Sequence, residues 1–262
     1  MAAQPAFEIR ARGLSDVGQR RDHNEDSFLV DDANGLFIVA DGMGGHAGGG
    51  TASRLAVETI QRSVRAARER EPQLFGTTSG VEESPLPDVL REAVEAACAR
   101  IYQTAQGDPE LAGMGTTVTA ALVDGRSAFI AHVGDSRCYL LRGARIYQVS
   151  EDHSLVNEQL KAGAISADEA RHSRFKNIIT RSVGFEQQVQ VDLMGVELEH
   201  GDILLICCDG LSNMVEDSEI LQVVEEAPLD EAPKRLIALA NDRGGDDNIT
   251  VVVVHAQEPT IR

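Results

Sequence analysis

Three apolar runs end in a carboxylate, and a fourth begins at one. Leu36-Phe-Ile-Val-Ala40 runs into Asp41-Gly42, and Leu204-Leu-Ile-Cys-Cys208 into Asp209-Gly210. Phe129-Ile-Ala-His-Val133 runs into Gly134-Asp135-Ser136, and Asp246-Asp247-Asn248 opens Ile249-Thr-Val-Val-Val-Val254. A strand end is rigid, so its first loop residue can be held to the tolerance that a functional site needs. Glycine after Asp lets the chain turn sharply and leaves its carbonyl open to a ligand. Taken singly, each Asp-Gly is also an ordinary turn signal. Together, four such carboxylates converging would repel one another unless cations neutralised them. Oxygen donors without a Cys or His cluster suit Mg2+ or Mn2+ rather than zinc. Upstream, Arg21-Asp-His-Asn-Glu25-Asp26 sets a carboxylate pair four residues after an arginine, whose planar fork can hold a phosphate dianion.

The elements that must position these residues can be read from periodicity. Val57, Ile60, Val64 and Ala67 recur at helical spacing, as do Leu90, Val94, Ala97 and Ile101. Two further helices are expected after Asp217 and Asp230, the last ending near Gly244-Gly245. Strands are expected over 28–30, 36–40, 116–123, 127–133, 138–141, 146–149, 189–196, 203–208 and 249–255. Asp124-Gly125 signals a tight hairpin, and Arg142-Gly143 a second turn. Strands joined by tight turns, with helices in blocks, predict an α+β fold with antiparallel sheets. Pro72–Pro87 reads as an insertion between two helices. The charge-rich stretch 151–174 reads as a lobe with two short helices, Ser166 and Glu169 forming a capping box.

Composition narrows the function. The chain has 262 residues and a formal charge of −18. That field disfavours nucleic acid and anionic membrane surfaces as partners. No apolar stretch is long enough to cross a bilayer, and the N-terminal residues do not read as a signal peptide, so a cytoplasmic protein is expected. The four cysteines, 98, 138, 207 and 208, form no CxxC pair and are expected as buried reduced thiols. None has Arg six residues later, which excludes a Cys-x5-Arg phosphatase loop. Asp-x-Asp is also missing at 246–247, where the two carboxylates are adjacent.

Seven segments in order resemble the motif set of the metal-dependent Ser/Thr protein phosphatases, the type-2C or PPM family in its bacterial form. They are Arg21-x-x-Asn-Glu-Asp26, Val39-Ala-Asp-Gly-Met-Gly-Gly-His46, Gly115-Thr-Thr117, Val133-Gly-Asp-Ser-Arg137, Ile179-Thr-Arg-Ser-Val-Gly184, Cys208-Asp-Gly-Leu211 and Asp246-Asp-Asn-Ile-Thr-Val251. The resemblance implies one domain over 1–262, with a core at about 10–255 and a small helical flap lobe at about 152–181. It implies two antiparallel β-sheets in a sandwich flanked by helical pairs, four layers in the order αββα, with a binuclear metal site at one end.

The resemblance also implies roles. Asp41 would bridge two Mn2+ or Mg2+ ions, Gly42 would offer its carbonyl, and Asp209 and Asp247 would complete the first ion. Glu25 would serve the second, supported by Asp26. Asp135, with Asp209, would hold a weaker third ion. Arg21 would bind phosphate, with Arg20 as the fallback one position earlier. Metal-activated water would then hydrolyse phosphoserine or phosphothreonine. Met43 stands where the animal enzymes carry His and cannot donate a proton, so water or His46 serves the leaving group. Expected partners are phosphorylated proteins and a bacterial Ser/Thr kinase that the enzyme opposes, with the chain a monomer. Two other readings remain open from the sequence: a catalytically dead binding module, and a hydrolase of small phosphorylated metabolites.

Overall fold

The computed structural model describes residues 7–44, 48–76, 80–171 and 173–258. Among them, two five-stranded antiparallel sheets face each other. The first has the order β1 (Glu8–Asp16), β12 (Ile249–Gln257), β11 (Ile203–Cys207), β8 (Arg137–Leu141), β9 (Ile146–Gln148). The second runs β10 (Asp192–Glu197), β7 (Ser127–Val133), β6 (Val118–Asp124), β3 (Leu36–Ala40), β2 (Ser27–Asp31). A small third pairing joins β4 (Gly42–Met43) to β5 (Gly115–Thr116).

The apolar runs are continuous because both faces of the central strands are covered. On β3, Phe37 and Val39 point between the sheets, where they meet Ile130, Ile206, Val252 and Val254. Leu36, Ile38 and Ala40 point the other way, under α1 (Gly48–Arg70) and α2 (Leu86–Gly107). The first sheet divides likewise. Tyr139, Leu205, Val251 and Val253 turn outward beneath α6 (Asp217–Glu226) and α7 (Ala232–Asp242). Side chains alternate across a strand, so such runs supply two apolar faces. The result is the expected four-layer αββα stack.

The predicted helical stripes are buried along their length, Val57 to Ala67 on α1 and Leu90 to Ile101 on α2. The expected hairpin forms with Asp124 paired to Ser127, so Gly125-Arg126 is the two-residue loop, with Gly125 at φ 64°. Ser166 and Glu169 make their capping box at the start of α4 (Ala167–Arg171), after α3 (Leu155–Lys161). Two corrections concern strands. The expected 189–196 strand begins only at Asp192, because Val189 and Val191 pack beside the α1–α2 layer without joining the ladder. The strand β1 was not anticipated, since Arg10, Arg12 and Gly13 interrupt its hydrophobicity.

Candidate active site

Asp41 leaves the end of β3 with its backbone held on both sides. Its N–H donates to Thr117 Oγ1 at 2.9 Å, and its carbonyl accepts from Thr117 N and Thr116 Oγ1, both at 2.8 Å. Thr117 Oγ1 also meets Ser136 Oγ at 2.7 Å, beside Asp135. Two strand ends on different turns are thereby fastened to each other. Thr116 pairs in turn with Val183, which ties in the 179–184 segment. Gly115-Thr-Thr117 was legible as a motif, but its work in aiming Asp41 was not.

Gly42 is required by contact. A Cβ there would lie 2.2 Å from the Gly49 carbonyl and 2.5 Å from that of Glu25. The Glu25 carboxyl rests against Gly49 in the first turn of α1, where the helix end favours a negative charge. The loop that carries Glu25 is fixed by Asn248. Its Oδ1 accepts from Glu25 N at 2.8 Å, and its Nδ2 donates to the carbonyls of Val17 and His23. Asn248, overlooked as a positioning residue in the sequence, thus joins the start of β12 to the arginine loop. Arg21 donates from Nη2 to Asp247 Oδ2 at 2.7 Å and is half exposed. Arg20 instead faces Asp246 at 3.9 Å on the surface, so Arg21 is the arginine turned toward the carboxylates.

The carboxylates lie close enough to act on one another. Burial, then the neighbouring charges of Asp26, Asp209, Asp135 and Asp247, holds the Asp41 carboxyl well above its ordinary range. Asp209, the first residue of α5 (Asp209–Ser212), is raised by burial and by Asp247. Asp135 is raised by burial and by Asp209. Asp26 is pushed up to about 7, chiefly by burial, although Thr250 Oγ1 donates to its Oδ2 at 2.6 Å and the Cys208 thiol lies beside it. Asp26 Oδ1, Asp135 Oδ1 and Asp209 Oδ1 are shut off from solvent without a hydrogen-bond partner. Buried oxygens of that kind are costly unless a cation or a proton meets them.

The donor set therefore fits hard divalent cations. It consists of oxygens from separate chain segments, close enough to disfavour one another's charge, with Arg21 and Lys176 as the cations that offset Asp209. A groove of about 670 Å³ opens from Asp135 and Asp209, between Val156 and Leu160 on α3 and Val215 and Glu216 ahead of α6. Of the residues expected here, Arg21, Asp26, Asp41, Asp135, Asp209 and Asp247 are brought together, with Glu25 and Gly42 alongside. His46 lies outside the described residues. Met43 is paired with Gly115 on the short β4–β5 ladder. The cysteines are free and buried, as expected.

The protein phosphatase 2C family model matches residues 17–248. The chain is 38% identical over 250 residues to the serine/threonine phosphatase stp of Listeria monocytogenes, covering 94% of this chain and 95% of that protein. It is similar to the crystal structure of the Mycobacterium tuberculosis serine/threonine phosphatase PstP/Ppp, with a TM-score of 0.84 and 35% identity over 95% of this chain and 99% of that one. A structure of the PstP catalytic domain in complex with two manganese ions matches with a TM-score of 0.81 and 34% identity, covering 95% and 99%. No helix among the described residues is long and apolar enough to cross a membrane. With a family model matching most of its length and relatives at this identity, the chain belongs to the protein phosphatase 2C family and is a metal-dependent phosphatase of the bacterial type.

Proposed function

We propose that this chain hydrolyses phosphoserine and phosphothreonine in proteins, using Mn2+ or Mg2+, and that it opposes a bacterial Ser/Thr kinase as a cytoplasmic monomer. The observation that carries the reading is the set of three buried, unpartnered carboxylate oxygens on Asp26, Asp135 and Asp209, residues whose charges act on Asp41. In this proposal Asp41, Asp209 and Asp247 hold the core ions with the Gly42 carbonyl and Glu25, while Asp135 and Asp209 hold a weaker third. Bound there, the ions supply water activation and neutralise charge on the phosphoryl oxygens.

The remaining work falls to the chain's own groups. Arg21 is half exposed and reaches the site from a loop pinned by Asn248, so its fork can grip two phosphoryl oxygens. Thr116 and Thr117 keep Asp41 aimed without recruiting its carboxylate oxygens. Asp26 is bonded to Thr250 through Oδ2, which leaves its other oxygen buried and without a hydrogen-bond partner. The leaving alkoxide needs a proton, and Met43 has none to give, which leaves solvent water or His46. A protein substrate fits the open groove beside Asp209 better than an enclosed metabolite pocket would explain.

The test is hydrolysis of a phosphothreonine peptide by EDTA-treated, dialysed protein with and without Mn2+. Activity that appears only with the added ion supports the reading. Undiminished activity in the stripped protein overturns the metal-dependent mechanism. Higher kcat/KM on small phosphate esters than on phosphopeptides overturns the protein-substrate assignment.

A further inference from the structure

Cys208 is the last residue of the apolar run that delivers Asp209, and although it belongs to the core between the sheets its sulfur has polar neighbours. One ligand atom each from Asp26, Asp41 and Cys208 lies within 4.8 Å of the others. Asp26 and Asp41 are partly exposed residues whose carboxyls point inward, and Cys208 is wholly buried. Cys208 Sγ accepts from Thr250 N at 3.0 Å and donates to the Asn248 carbonyl at 3.3 Å, which fixes its position. Thr250 also holds Asp26 through Oδ2, leaving Asp26 Oδ1 buried and without a partner. A rigid thiol and one carboxylate oxygen each of Asp26 and Asp41 are thus gathered into one small cluster.

Hard ions such as Mn2+ and Mg2+ gain little from sulfur, whereas Zn2+ and Cd2+ favour thiolate. We infer that Asp26, Asp41 and Cys208 form a mixed oxygen–sulfur site for a thiophilic divalent cation, distinct in donor set from the all-oxygen core. Binding exchanges the thiol proton for the ion: Cys–SH and M2+ give Cys–S–M+ and H+, the proton passing to solvent. Asp41 belongs to both donor sets, so an ion held by Cys208 competes with Mn2+ for that carboxylate. The competition, and the loss of phosphatase activity it brings, rests on the proposed function; the binding itself does not.

The experiment uses the full chain, stripped of metal and kept reduced, titrated with Cd2+ while ultraviolet absorbance is followed. A sulfur-to-cadmium charge-transfer band should grow and saturate at a single equivalent. Cys208→Ser should abolish the band although Cys98, Cys138 and Cys207 remain. In competition with a chromophoric chelator, Cys208→Ser should lower Cd2+ affinity at least about tenfold more than Mn2+ affinity. Asp26→Asn should weaken Cd2+ binding while keeping the band. Absence of the band from the unmutated chain overturns the inference without reference to any variant, and so does its persistence in Cys208→Ser. Equal losses for Cd2+ and Mn2+ also overturn it. A saturating band in a protein inert toward phosphopeptides would overturn the proposed function and leave this site standing.

Discussion

His153 grips the backbone of Gly134 from both sides: its Nδ1 accepts the Gly134 N–H at 3.0 Å, and its own N–H donates to the Gly134 carbonyl at 2.7 Å. Gly134 lies at φ 112°, and a Cβ there would strike the Thr117 side chain at 2.6 Å. The grip therefore sets the direction in which Asp135 leaves β7. The other ring nitrogen of His153 donates to Asp192 Oδ2 at 3.0 Å, and Asp192 is held by Arg181 at 2.5 Å. One histidine thus links the Asp135 strand end to the segment that closes the lobe.

The first prediction follows from that grip. His153→Ala leaves the Gly134 N–H without its acceptor and should cost about 2 kcal/mol of stability. It should also raise the Mn2+ concentration for half-maximal turnover, as Asp135→Ala should, while direct metal analysis still finds two tightly held ions. Loss of the core ions in either variant would place Asp135 in the primary site instead.

A second prediction separates charge from fold. Asp41→Asn and Asp209→Asn should each remove nearly all phosphatase turnover, because an amide keeps an oxygen but not the charge that holds cations. Both carboxyls are raised by burial and by their neighbours, so the charged form strains the metal-free fold. Deleting one charge should lift the metal-free melting temperature by about 3 °C. Near-normal kcat in either variant would refute its assignment as a ligand.

These sites show how far the sequence could be read. The strand ends at Ala40, Val133 and Cys207 were legible because burial on two sides makes the runs before them almost wholly apolar, with His132 the one polar residue directly before an end. What escaped depends on contacts between distant residues. Asn248 holding the 17–25 loop, Thr117 bridging Asp41 to Ser136, and the Gly42–Thr116 pairing are long-range bonds with no local pattern. Cys208 reads as a core thiol, and it is one; only the packing of Thr250 and Asp26 against it reveals its neighbours. The strand β1 hid because its inward residues, Ile9 and Ala11, alternate with exposed arginines.

Thr117 gives a third prediction. Thr117→Val keeps the shape but removes the acceptor for Asp41 N–H, in a partly buried setting, and the partner of Ser136 Oγ, in a buried one. The cost should be about 2 kcal/mol. Turnover should fall with little change in KM, since Arg21 and the groove are untouched, and Thr117→Ser should restore most of it. A rise in KM with normal kcat would mean that Thr117 serves substrate binding rather than the aim of Asp41.

A fourth prediction concerns pH. His132 is wholly buried, its Nε2–H donating to the Glu151 carbonyl at 3.0 Å and its Nδ1 accepting from Thr119 Oγ1 at 2.9 Å. Burial, and then the nearby His153, lowers it from 6.5 to about 4. Between those values the unfolded chain binds a proton that the folded chain does not, so stability is lost as pH falls from about 6.5 toward 4. Relative to His132→Gln, the unmutated protein should lose up to about 3 kcal/mol across that window. Denaturant unfolding of both proteins at matched pH cancels the carboxylate contributions. A constant difference between them would show that His132 is charged in the fold.

The last prediction concerns the lobe. Basic residues gather there in a chain of charge −18, and most are already engaged. Arg181 is bound to Asp192 and Lys161 to Glu151, His153 is buried, Arg174 lies over the Phe175 ring, and the Arg171 side chain and His172 fall outside what the structure describes. Lys176 is different: it lines the groove with Asp135 and Asp209, and its charge pulls the Asp209 carboxyl down. An ammonium so placed can meet the phosphate or an acidic residue beside it as the peptide enters a surface of charge −18. Lys176→Glu should raise KM for a phosphoprotein about fivefold, with kcat little changed, and the rise should shrink at high ionic strength. Arg174→Glu, on the ring-stacked neighbour, should change KM less than about twofold. If p-nitrophenyl phosphate loses as much kcat/KM as the phosphoprotein in Lys176→Glu, the lysine acts on the carboxylate cluster itself and not on the approach of the protein substrate.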